Sequence, residues 1–164
     1  MEINRDAPIV LNHEIEIFAP PKRVWERIAQ VEYWSEWHPD IGKAYWTDDE
    51  PMDRRGFKFG VKMFRFTGQF RVYEEPHLIG WTARHLFSRH RQMFRLSGDY
   101  RRTVLTSEAS YEGRVAALMP ERLREPLDYF GQTWLAAVKT HIESERENGA
   151  RSPGTRSARY MGQR

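Results

Sequence analysis

The side chains best able to do chemistry sit in one stretch, Trp81 to Leu96, read WTARHLFSRHRQMFRL. It sets two histidines, His85 and His90, and an amide, Gln92, among large apolar residues. Imidazole titrates near neutral pH, so such a pair suits proton transfer as well as hydrogen bonding. Apolar and polar residues alternate on both sides of the stretch's centre, which reads as an antiparallel hairpin. With Ser88-Arg89 as a two-residue connection, Trp81 faces Leu96, Ala83 faces Phe94 and His85 faces Gln92. One face then carries Ile79, Trp81, Ala83, His85 and Phe87 with His90, Gln92, Phe94 and Leu96. The other carries Thr82, Arg84, Leu86, Arg91, Met93 and Arg95. The first face is the more apolar and is expected to turn inward. A four-residue loop over 98–101 adds Leu105, Ser107, Ala109 and Tyr111 to it. His85, His90 and Gln92 therefore share one end of an apolar interior. Polar groups there need partners, because an unpaired buried group costs about 1–3 kcal/mol. Three readings stay open: a hydrated polar end, recognition of a ligand's polar group, or acid–base catalysis by His85 or His90.

Other chemistries find little support. The six histidines, His13, His38, His77, His85, His90 and His141, show no metal-ligand spacing, and the chain has no cysteine. No metal site, thiolate nucleophile or disulfide is expected. A phosphate-binding glycine loop and a nucleophile elbow are absent, and no cofactor is implied. His13 falls on the same face as Ile15 and Ile17 and reads as a satisfied core or edge residue. His141 sits at the margin of a helical stripe.

The elements that must position these groups follow from periodicity. Ile15 and Ile17 alternate with Glu14 and Glu16, a half-buried strand. Pro20-Pro21 ends it and suits the first turn of a helix. Val24, Trp25, Ile28 and Ala29 follow at helical spacing, and Trp25 is expected to be buried. Val31, Trp34 and Trp37 make a second short helical turn before Pro39. Further strands are expected over Gly42 to Asp48, Phe57 to Met63, about Phe66 to Val72, Leu78 to Phe87, His90 to Leu96 and Thr103 to Tyr111, with a turn-rich connection after Asp48. The apolar face of the third of these strands comprises Phe66, Phe70 and Val72. A long helix spans about 120–147, with Pro126 expected to break off a short turn, Glu121 to Glu125. Its apolar stripe is Leu127, Phe130, Gly131, Trp134, Leu135, Val138 and Ile142. Gly131 at mid-helix costs about 1 kcal/mol against alanine. It marks either close packing against an aromatic ring or room for a ligand. The fold class is thus α+β.

With 164 residues, 40% of them hydrophobic, the chain makes one globular domain, over 1–147. Residues 148–164 carry four arginines and no acid, and are expected to form a disordered basic tail. Without that tail the formal charge of +3 falls to −1, so the body does not look like a nucleic-acid surface. No apolar run is long enough to span a membrane and no apolar signal core opens the chain. A soluble cytoplasmic protein is expected, its oligomeric state unspecified.

The phrase Ile17-x-Ala19-Pro20-x-x-x-Val24-Trp25 resembles the opening of the SRPBCC superfamily, and within it the polyketide cyclase/dehydrase-like proteins. Trp37, Gly56-Phe57, the segment Pro76 to Trp81 and Glu112-Gly113 before the last helix extend the likeness over roughly residues 9 to 145. The resemblance implies a helix-grip fold: a seven-stranded curled antiparallel sheet around a long C-terminal helix, two short helices after the first strand, and a cavity between. In the family His38 would stand near the cavity entrance. Many relatives carry Glu at the position of Ala109 and His at that of Gln92, and these departures weigh against enzymatic cyclisation. The expected function is binding of a small hydrophobic or aromatic molecule. A polyketide cyclase/dehydratase-type enzyme without metal and a protein-interaction module are the alternatives. The expected binding residues are His85, His90 and Gln92 at the polar end, with walls of Trp81, Phe94, Phe57, Phe59, Phe70, Tyr111 and Trp134.

Overall fold

The computed structural model describes residues 1–48 and 55–151. Seven strands form one antiparallel sheet: β1 (Ile9–Ile17), β2 (Ile41–Trp46), β3 (Gly56–Val61), β4 (Phe64–Glu74), β5 (Leu78–His85), β6 (Ser88–Gly98) and β7 (Thr103–Gly113). Their order is β1-β7-β6-β5-β4-β3-β2, so the first strand closes on the last and every other pair is a chain neighbour. Between β1 and β2 lie α1 (Pro21–Ala29), a 3-10 turn (Val31–Tyr33) and α2 (Trp34–Trp37); after β7 come α3 (Arg114–Leu118) and α4 (Pro120–Arg151). The sheet curls around α4, which buries Trp134, Leu135, Val138 and Ile142 against it. This is the helix-grip arrangement.

Local chemistry explains the connection between β1 and β2. Pro20 keeps extended dihedrals and Pro21 opens α1, where a missing N–H costs nothing. Val24, Trp25, Ile28 and Ala29 then face the core, and Val31, Trp34 and Trp37 follow them inward.

Five expectations need correction. The β5–β6 connection is Leu86-Phe87, not Ser88-Arg89: His85 pairs with Ser88, Ala83 with His90 and Trp81 with Gln92. Leu86 takes a left-handed φ of 45°, a conformation usually signalled by glycine or asparagine. The pairing is displaced by an even number of residues, so each strand residue keeps its expected face. Similarly, β6 and β7 join through 99–102, where Asp99 Oδ1 accepts from the Arg101 and Arg102 amides at 2.8 and 3.1 Å. Met63 belongs to the β3–β4 turn rather than to a strand. A bulge between Phe70 and Val72 shifts the phase of β4, and it is Tyr73 that packs on Trp25, at 4.6 Å. Finally, α4 runs unbroken through Pro126. Pro126 is exposed, so the carbonyl it leaves unpaired is near water. Residues 148–151 continue α4; the rest of the expected tail, and most of the connection after Asp48, lie outside the described residues.

The chain's first residues also have a place. Asn4 N–H donates to Ser110 Oγ at 3.3 Å, Arg91 donates to the Glu2 carbonyl at 3.3 Å, and Arg5 pairs with Glu108 at 3.1 Å. This segment covers the outer sheet face and buries Met93 there.

Candidate functional site

Between the concave sheet face and α4 lies a cavity of about 490 Å³. Strand alternation sends Trp81 from β5 and His90, Gln92 and Phe94 from β6 into it, with Ser107, Ala109 and Tyr111 from β7. Phe59 and Trp134 complete the apolar walls, from β3 and α4. The opening lies between the β3–β4 turn, the β5–β6 turn, the start of α3 and Tyr129 of α4.

The polar end is tightly arranged. Gln92 is buried and its amide donates to Ser107 Oγ at 2.8 Å and the Glu108 carbonyl at 3.3 Å. The His90 ring stacks flat on Tyr111, with centroids 4.6 Å apart and planes 5° apart. Its Nε2 is buried without a partner. Burial pushes the His90 pKa down to about 4, opposed by a hydrogen bond with Gln92. Burial, and secondarily the negative charge of Asp128, raises the Tyr111 hydroxyl above its ordinary value. Both groups are thus uncharged at neutral pH. Trp81 and Trp134 on the walls also hold buried indole N–H groups without partners.

His85 sits nearer the mouth, where its Nδ1 hydrogen-bonds the Arg65 carbonyl at 2.7 Å and its ring meets Phe64 and Phe66 at 5.3 Å. His85, His90, Gln92, Trp81, Phe94, Phe59, Tyr111 and Trp134 all line the cavity. Phe57 and Phe70 do not. They pack on each other at 4.8 Å; Trp34 lies against Phe57 at 5.3 Å, Trp81 at 5.3 Å and Trp134 at 5.1 Å, and Trp81 covers Phe70 at 5.6 Å. Parity put both phenylalanines on the correct face but could not reveal a tryptophan reaching over from α2. His38 is fully buried against Phe130 and Trp134, and does not line the mouth.

His13 lines the cavity as well, from β1. Its Nε2 lies 2.8 Å from Asp128 Oδ1, and Asp128 Oδ2 accepts from Gln132 at 2.7 Å. Sequence periodicity placed His13 on the inner face, but its partner on α4 is distant in sequence and carries no motif. Gly131 exists for this ring: a Cβ there would stand 2.6 Å from His13 Cε1 and 2.8 Å from Nδ1. The close neighbour is therefore an imidazole. Gly131→Ala gains about 1 kcal/mol of helix propensity but displaces the ring and its hydrogen bond. A net loss of about 1–2 kcal/mol in denaturant unfolding is expected; a gain would mean the ring has room to move.

A larger open groove, about 1030 Å³, lies near the far end of α4. Two of its arginines are engaged, Arg23 with Glu145 at 3.1 Å and Arg102 with Glu16 at 3.3 Å, and it lies open along the surface.

Comparison with known proteins agrees with this geometry. The family described as polyketide cyclase / dehydrase and lipid transport matches residues 8–143. Among solved structures, a hypothetical protein from Helicobacter pylori superposes with a TM-score of 0.71 at 12% identity, over 85% of this chain and 90% of that one. A START superfamily protein from Mycobacterium smegmatis gives 0.67 at 14%, over 85% and 97%. The Zhui aromatase/cyclase from Streptomyces sp. R1128 gives 0.68 at 18%, over 89% and 98%. A comparison with curated proteins finds no match.

Proposed function

The chain belongs to the polyketide cyclase/dehydrase and lipid transport family, and from that premise we propose that it binds a small hydrophobic or aromatic molecule with an uncharged polar group. One observation carries this reading: an apolar cavity of about 490 Å³ ends in polar groups held neutral, with His90 Nε2 left without a partner. A carbonyl or hydroxyl on the ligand would supply a missing partner, whereas an ionised carboxylate would lose its hydration with no charge to offset it at this end. Native mass spectrometry of protein purified from its own host should show a bound small molecule. The emptied protein should prefer a neutral naphthol to the matching naphthoate. His90→Phe and Gln92→Ala should each weaken naphthol binding by about 1–2 kcal/mol. Equal affinity for the carboxylate, with both variants binding normally, would reduce the polar end to a hydrated patch.

A cyclase or dehydratase reading is favoured by a different observation, the His13–Asp128 pair. The carboxylate orients an imidazole that faces the cavity, as a general base requires. On this reading His13→Gln abolishes turnover while leaving affinity near normal.

A further inference from the structure

The cavity opens through a rim that the core does not explain. Leu86 is 84% exposed, Phe87 68%, Met63 85% and Phe64 49%. These four side chains form the tips of two neighbouring hairpins, and all but Met63 line the cavity mouth. Val115, on α3, borders the same mouth and is also exposed. Folding leaves most of the surface of Met63, Leu86 and Phe87 in water. Leu86 even occupies a left-handed turn position, where a side chain branched beyond Cβ is disfavoured and asparagine or glycine would relieve the backbone.

Within the two turn stretches charge has one sign, although Asp40 and Glu112 also line the mouth. Lys62 and Arg65 flank Met63 and Phe64; Arg84 and Arg89 flank Leu86 and Phe87; no acid lies within either stretch. All four basic side chains are exposed. Lys62 approaches Asp40 at 3.9 Å, and the three arginines pair with no carboxylate among the described residues. Apolar tips projecting past a basic collar match the two layers of an anionic lipid surface. The tips reach the headgroup–acyl boundary, and the cations stay with the phosphates. A folded protein partner would instead call for a broad contiguous face, whereas here the apolar side chains project as two pairs from separate turns. No helix among the described residues is long and apolar enough to cross a membrane, so the contact is peripheral.

We propose that the mouth of the cavity is a docking surface for an anionic lipid bilayer, placing the opening against the membrane from which an apolar ligand would enter or leave. The proposal concerns the rim alone and stands whatever molecule fills the interior.

The test is co-sedimentation of the full chain with vesicles of phosphatidylcholine alone and of phosphatidylcholine with 30% phosphatidylglycerol. The full chain keeps its basic C-terminal residues in every arm, so only the mouth differs between variants. Binding to the anionic vesicles is expected, with at least tenfold weaker partitioning onto the neutral ones and in 0.5 M NaCl. The double variant Met63→Ser/Leu86→Asn should lower partitioning at least tenfold; its asparagine suits the left-handed position, so the fold is retained, as thermal melting would verify. Arg84→Glu/Arg89→Glu should do the same through charge. Absence of binding to anionic vesicles overturns the proposal, as does binding that neither pair of substitutions changes. Self-association of the free protein that Met63→Ser/Leu86→Asn abolishes, without vesicle binding, would instead assign the rim to a second copy and also overturn it.

Discussion

Acidification from pH 6.5 to about 4 should remove several kcal/mol of stability, with the loss beginning above the pH at which ordinary carboxylates titrate. The cause is a pair of buried histidines. His38 is 1% exposed, with Nδ1 accepting from the Asp40 amide at 3.2 Å and Nε2 lacking any partner. Burial lowers its pKa to about 4, against the opposing charge of Asp40. His90 is lowered to about 4 by burial in the same way. In the unfolded chain both return to about 6.5. Within this window the unfolded state holds more protons than the folded one, so stability rises with pH and is lost as pH falls. The maximum slope is about 1.4 kcal/mol per pH unit for each histidine, about 2.7 for the two together. Over the whole window that approaches the total stability of an ordinary domain. His90→Phe keeps the stack on Tyr111 and removes one titration, so the slope should fall by about half. Denaturant unfolding at several pH values reads this directly. An unchanged slope in the variant would show that His90 takes up its proton in the folded state.

Much of the fold could be read because its signals are local. The alternation at Ile15 and Ile17, the paired prolines and the Val24-Trp25-Ile28 spacing each demand one conformation over a few residues. The inner face of β5 and β6 was also legible, even with the hairpin connection misplaced, because an even displacement preserves side-chain parity. What escaped was conformation without a residue signature. Leu86 turns the chain where no glycine announces it, and Pro126 sits in a helix held by packing farther along, at Trp134 and Val138. The site divides the same way. Parity brought His90, Gln92 and Tyr111 together, since they share one sheet. It could not bring Asp128 to His13 or Trp34 in front of Phe57, since those meetings depend on how helices cross the sheet. Gly131 was conspicuous from the sequence, and its neighbour became known only with three-dimensional packing.

That crossing makes Trp34 the side chain whose loss should cost most among the apolar residues. It is fully buried, and its ring lies 5.3 Å from Phe57, 5.6 Å from Phe59, 5.3 Å from Trp81 and 5.1 Å from Trp134. Its indole N–H donates to the Ile28 carbonyl at 2.9 Å, tying the packed ring to the end of α1. It therefore joins the short helices to the sheet and to α4 at once. Trp34→Ala should cost about 3–5 kcal/mol, through lost burial and the void left among rings that cannot close in. The edge-to-face pairs with Phe57 and Trp134 place the expectation toward the upper end of that range. Trp34→Phe is the informative companion. It keeps most of the volume and loses the N–H, leaving the Ile28 carbonyl unpaired, and should cost about 1–2 kcal/mol. The alanine variant should also join the space beside Phe57 to the existing cavity, so a bulkier polycyclic probe should gain affinity relative to naphthol. A loss below about 1 kcal/mol for alanine, with no change in probe preference, would mean that Trp34 neither closes the cavity nor holds α2 in place.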